Sequence, residues 1–269
     1  MSELLELIKT RKSVRTFDGN QISEEDRNSI KKYMQEVSNP FDIPVKFVLL
    51  DAEENGLSSP VLTGEKLYIA GKVEKKPFAD IAFGYSFEKV LLHAWSLGVG
   101  SVWIGGTMKR ELFESAAGLG QGEIMPCISP LGYPAKKRSV KDTMMRKGIG
   151  ADSRFDNSKL FYANEWGNPL EISEELADVF EMVKWAPSAV NKQPWRVICK
   201  DGIYHLFEKK DKGYDNPKTG DLQKIDVGIA LCHLVLGLEN IGKTVELEVS
   251  DPGIEIPSDA EYIVSVRAN

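Results

Sequence analysis

The sequence predicts an α+β protein built from two repeated halves, each with helices on a mostly antiparallel sheet. Two alignments within the chain carry that expectation. "QISEEDRNSIKKYMQEVSNPFDIPVKFVLLD" lines up with "EISEELADVFEMVKWAPSAVNKQPWRVICKD", so that Ile22 matches Ile172 and Pro44 matches Pro194, each pair 150 residues apart. Further on, "GYSFEKVLLHAWSLG" lines up with "GIALCHLVLGLENIG", with Gly84 matching Gly228 and Gly98 matching Gly242 at a spacing of 144. Element order kept at a nearly constant offset is the mark of a repeated unit.

Taken in order, the elements follow from local patterns. Leu4, Leu5, Leu7 and Ile8 fall on one face of a first helix. Ser23 and Ser173 each precede acidic residues and then apolar residues at helical spacing, which predicts two capped helix starts. Residues 45–50 and 195–199 are rich in β-branched or apolar side chains and read as strands. The Gly84–Gly98 and Gly228–Gly242 segments are apolar all round, as buried helices are. "SVWIGG" (101–106), "VELEVS" (245–250) and the closing "EYIVSVRA" supply further strands. The polar, glycine-dotted segment 139–168 reads as a connection between a first half, 1–138, and a second half, 169–269. Two copies in one chain suggest a fused pseudo-dimer, which removes the need for a partner subunit and makes a monomer the expectation.

Composition excludes several classes of function. With 42% hydrophobic and 28% charged residues the chain has the balance of a globular protein. A net charge of −6 leaves no cationic footprint for nucleic acid. No apolar run approaches the roughly 18 residues of a membrane span, so a cytoplasmic protein with no membrane partner is expected. Cys127, Cys199 and Cys232 are far apart and not in CxxC spacing, which argues for packing rather than a disulfide or zinc site. His93, His205 and His233 do not gather at metal-ligand spacing and are expected to be structural, with no metal site.

Four short motifs could carry chemistry. "TRKSVRTF" places Arg11, Lys12 and Arg15 around Ser13, a set able to bind phosphate, although the same charges also suit a solvated patch at a helix C-terminus. "APSAVNKQPW" offers Pro187, Ser188, Asn191 and Gln193 in a turn before a strand. The first copy makes the same turn without Ser188, Asn191 or Gln193 in register, so a turn alone does not require them. "LGVGSVWIGG" ends in Gly105 and Gly106, where a flat ligand could approach backbone amides, although paired glycines also make ordinary turns. "LGYPAKKR" ends in Lys136, Lys137 and Arg138, which equally suit a solvated charge run.

Together these four motifs resemble the nitroreductase family of FMN-dependent oxidoreductases, in particular its divergent TM nitroreductase-like branch. The resemblance implies the nitroreductase-like FMN fold, FMN and NAD(P)H as cofactors, and reduction of small-molecule electron acceptors such as nitroaromatics or quinones. A non-enzymatic FMN carrier or sensor is the alternative. The resemblance further implies that Arg11 and Ser13, with Lys12 alongside, bind the FMN phosphate and ribityl, and that Arg15 lies near flavin N1 and O2. Ile104, Gly105 and Gly106 would line one ring face, and Pro187, Ser188, Asn191 and Gln193 would reach the cofactor from the other half. Lys137 or Arg138 would close on the phosphate. No catalytic acid or base is implied, because the flavin itself takes the hydride. The first copy has three of the four motifs and the second has the remaining one, so the expectation is one FMN per chain, between the halves.

Overall fold

The computed structural model describes all 269 residues. Its helices are α1 (Glu3–Thr10), α2 (Glu24–Glu36), α3 (Ala79–Ser96), α4 (Arg110–Ala116), α5 (Val140–Gly148), α6 (Asn157–Leu160), α7 (Ala177–Lys184) and α8 (Leu222–Asn240). Its strands are β1 (Val45–Asp51), β2 (Leu67–Glu74), β3 (Gly100–Ser101), β4 (Glu123–Ile124), β5 (Ile128–Gly132), β6 (Phe161–Ala163), β7 (Trp195–Lys200), β8 (Ile203–Lys209), β9 (Asp215–Asn216), β10 (Gly220–Asp221), β11 (Val245–Glu248) and β12 (Ala260–Ala268). No helix is long and apolar enough to cross a membrane.

The α+β class holds, and the two large sheets share one plan. The first has the order β1-β2-β5-β3, with β4 also on β2, and the second has β7-β8-β12-β11 with β6 added beside β7. Every pairing is antiparallel except β6 on β7. In each case a helix leads into a two-stranded hairpin and then a long buried helix: α2, β1–β2 and α3, and later α7, β7–β8 and α8.

The long helices α3 and α8 are buried nearly all round and cross through glycines. A Cβ placed on Gly84 would lie 2.1 Å from the carbonyl oxygen of Ile225, and one on Gly228 would lie 2.2 Å from that of Ile81. Both relations keep the 144-residue spacing. Only glycine lets the two backbones approach this closely. A single cluster of 41 buried residues draws on both large sheets and both long helices, from Ile22 and Phe83 to Leu234 and Val266, so one core spans them.

Local expectations held unevenly. Ser23 caps α2 by accepting from the Asp26 N–H. Ser173 does not cap with its side chain, and a 3-10 turn over Glu174–Leu176 precedes α7. The strand expected over 101–106 shortens to Gly100–Ser101, after which Ile104 alone bridges Ile128. The Trp103 indole turns to the Glu88 carboxylate, and Gly105 and Gly106 leave the sheet to line a cavity. The segment 139–168 is more than a connection. It contains α5, α6 and β6, and β6 extends the second sheet beside β7.

Candidate functional site

At the start of α8 the core opens into an apolar cavity of about 400 Å³. Leu222, Ile225 and Ile229 on α8 form one side, residues 102–107 a second, and the 187–190 loop a third. Met145 and Ile149 contribute from α5 and the residue after it. A second recess of about 250 Å³ shares Ser13, Ile149, Pro187 and Ser188 with the first, so the two adjoin. Its character is the opposite. Lys9, Arg11, Lys12, Arg138, Arg146 and Arg154 all line it.

Arg11 follows the last turn of α1 and its side chain is 5% exposed. Its Nε and one terminal nitrogen are buried without a hydrogen-bond partner, and the nearest carboxylate, Glu88, is 4.0 Å away. A buried guanidinium left short of acceptors marks a place for an anion. Arg154 stacks on the Trp185 ring at 4.7 Å, its Nε is likewise unpartnered, and burial lowers it to about 10. Arg146 pairs with Asp152 across the same recess.

Glu88 ties the two recesses to the core. It is fully buried on α3, where it accepts from Trp103 Nε1 at 3.0 Å and lies 3.2 Å from His233 Nε2 on α8. Burial alone would raise its carboxyl, but Arg11, His233 and Trp103 outweigh burial and hold it below the usual carboxylate range. Asp226, on α8 and in the wall of the apolar cavity, has the other outcome. Its contact is the Ala189 N–H at 3.0 Å, and burial raises it well above the usual range.

The 187–193 loop is held under strain. Val190, Asn191 and Gln193 have φ of 51°, 57° and 51°, a region non-glycine residues seldom occupy and a β-branched one least of all. Polar side chains keep it there. Ser188 Oγ accepts from the Gln193 N–H at 2.9 Å, Gln193 Oε1 accepts from the Phe155 N–H at 2.8 Å, and Asn191 Nδ2 donates to the Gly150 carbonyl at 2.8 Å. The loop is thereby strapped to residues 150–155. On the facing wall, Arg110 donates to the carbonyls of Gly105 (2.7 Å) and Pro126 (3.2 Å). In a trans peptide this turns the Gly106 N–H to the side away from Arg110.

Most of the residues singled out from sequence converge here, and two do not. Ser13, Arg15, Ile104, Gly105, Gly106, Pro187 and Ser188 line the apolar cavity, and Arg11, Lys12, Arg138 and Asn191 line the basic recess. Lys137 is exposed, sits in a bend with Lys136, and lines neither. Gln193 is 1% exposed and also lines neither, because its amide is spent on Phe155 and Asn191. Asn191 reaches the recess with its amide already engaged by the connecting segment. Arg15 pairs with Asp142 at 3.2 Å. Sequence reasoning missed Trp103, Asp226, Arg146 and Arg154. The two arginines sat in plain view in segment 139–168, eight residues apart after a basic tail.

Comparison with known proteins shows the family. Residues 3–238 match the family model described as "Putative TM nitroreductase". A protein of Archaeoglobus fulgidus named "Putative NADH dehydrogenase/NAD(P)H nitroreductase" is 27% identical over 183 residues, spanning 62% of this chain and 100% of that one. A nitroreductase crystal structure from Thermotoga maritima superposes with a TM-score of 0.65 at 19% identity, covering 98% of this chain and 93% of that chain. A nitroreductase of Bacteroides fragilis with bound FMN is similar at 23% identity and a TM-score of 0.42, over 52% of this chain and 95% of its own. With the family model spanning most of the chain and the whole fold shared with the Thermotoga protein, this chain belongs to the TM nitroreductase family of oxidoreductases.

Proposed function

We propose that the protein is an FMN-dependent oxidoreductase that takes electrons from NAD(P)H and reduces nitroaromatic or quinone-like small molecules. The observation that carries this is an apolar cavity adjoining a cationic recess in which the buried guanidinium of Arg11 lacks acceptors. An amphiphile with a flat apolar ring at one end and a phosphate at the other fits that pair of environments. Arg11, Ser13, Arg138 and Arg154 would hold the phosphate, with Lys12 at the rim. Ile104, Gly105 and Gly106 would face the ring from one side and the Pro187–Val190 loop from another. The trans peptide held by Arg110 would keep the Gly106 N–H available as a donor. When bound, FMN would supply a ring that accepts hydride and passes electrons onward. The protein's part is to orient it, exclude water and set its electrostatic surroundings.

The matching strand orders and the glycine crossing at a constant offset support a duplicated unit, with halves over 1–138 and 169–269 joined by 139–168. One FMN per chain follows, because the recess draws on both halves and a monomer already contains all of its walls. Purified protein is expected to carry FMN in equimolar amount, and NADH or NADPH should bleach the visible flavin band within seconds. Flavin reducible only by dithionite would favour the carrier. Protein that takes up no FMN would sink both.

A further inference from the structure

The walls of the apolar cavity hold two ionisable side chains of formal charge, Arg15 and Asp226. Arg15 is therefore the cavity's one cationic side chain, and it is 8% exposed. Its partner is Asp142, 3% exposed, in the first turn of α5 and outside both recesses. The pair is held in register by a second contact between the same two segments. The Ser139 N–H donates to Thr16 Oγ1 at 3.1 Å, and Ser139 Oγ accepts from the Asp142 N–H at 3.1 Å. These contacts hold the two backbone segments that carry Arg15 and Asp142 beside each other.

We propose that Asp142 is a positioning residue that neutralises Arg15 and thereby keeps the electron affinity of the bound flavin low. This rests on the FMN reading above. When NAD(P)H gives up a hydride, two electrons and one proton arrive together, NAD(P)⁺ departs, and one unit of negative charge is added inside the cavity. A lone guanidinium in a water-poor wall would stabilise that charge strongly. A guanidinium 3.2 Å from a carboxylate presents a dipole instead, so the charge is stabilised less and the electrons are passed on more readily. The device biases the enzyme toward acceptors that are hard to reduce, nitroaromatics among them.

The test is the midpoint potential of FMN bound to the full chain. Asp142→Asn should raise it, and a tenfold gain in preference for the reduced form corresponds to about 30 mV for a two-electron couple. Arg15→Gln should lower it, the double variant should return close to the starting value, and Asp142→Glu should leave it in place. A role confined to holding α5 would not produce opposite signs that cancel. If Asp142→Asn releases its flavin, the double variant is compared with Arg15→Gln alone, and a rise supports the inference. A potential that stays put or falls when the carboxylate is removed overturns it and leaves the FMN reading standing. Wild-type protein that binds no FMN overturns both.

Discussion

The two ends of the α3–α8 pair are built on the same backbone plan and filled differently. At the start of α8, Leu222, Ile225, Asp226 and Ile229 face the cavity. The positions 144 residues earlier, at the start of α3, are Phe78, Ile81, Ala82 and Tyr85. Phe78 stacks on Phe41 with ring centroids 5.5 Å apart and planes 10° from parallel. Phe41 is itself the counterpart of Asn191 at the 150-residue spacing. Where one end has medium-sized side chains and a polar strap, the other has stacked rings. The volume of the side chains at the two helix starts thus differs where the backbone plan is alike, and the described cavity lies at the end with the smaller ones.

The glycine crossing tests whether the two ends are equivalent at all. Gly84→Ala and Gly228→Ala should each cost about 3 kcal/mol or more, since in both the added carbon meets a backbone carbonyl that cannot move aside. Urea denaturation should give similar losses for both. A large difference between them would break the two-fold relation.

The acidic groups near the start of α8 should give the open end a pH signature. Burial raises Glu208 to about 7, and one of its oxygens is buried without a partner. A carboxyl whose folded-state value is raised holds its proton more tightly in the folded state. The stability this contributes is complete below the unfolded value of about 4 and is lost as pH rises through 7. The unfolding free energy read by urea denaturation should fall from pH 5 toward pH 8, by something on the order of 2 kcal/mol, and Glu208→Gln should flatten the slope. Glu88, held low, has the reverse sign, and its contribution disappears only as acid protonates it.

Truncation should separate packing from binding. Phe78→Ala removes half of the aromatic stack and should cost about 2 kcal/mol with little effect on flavin affinity. Leu222→Ala, whose side chain already borders open space, should cost less in stability and more in FMN binding, read by flavin fluorescence titration. The smallest contrast lies in the basic tail. Arg138→Ala should weaken FMN binding about tenfold, the worth of one hydrogen bond to a charged group, whereas Lys137→Ala should leave it unchanged. Equal effects would mean that both side chains reach the recess once the cofactor is bound.

What the sequence determined by itself is the part of the molecule written in short-range signals. The ISEE repeat, the Ser23 cap, the all-round apolar helices and the β-branched and apolar runs of β1 and β7 depend on residues within a turn or two of one another, and all can be read without coordinates. The four motifs were legible for the same reason, and most of their residues meet at the site. Only tertiary structure decided the rest. Arg15 finds Asp142 127 residues away, Gln193 turns inward to Phe155, and Trp103 swings to a carboxylate on α3. Segment 139–168 brings Met145 and Ile149 to the apolar cavity and Arg146 and Arg154 to the basic recess, and its strand β6 forms against the edge of β7. Which side chains wall a cavity is set by how the helices cross, and that crossing depends on two backbones meeting at glycines far apart in the chain.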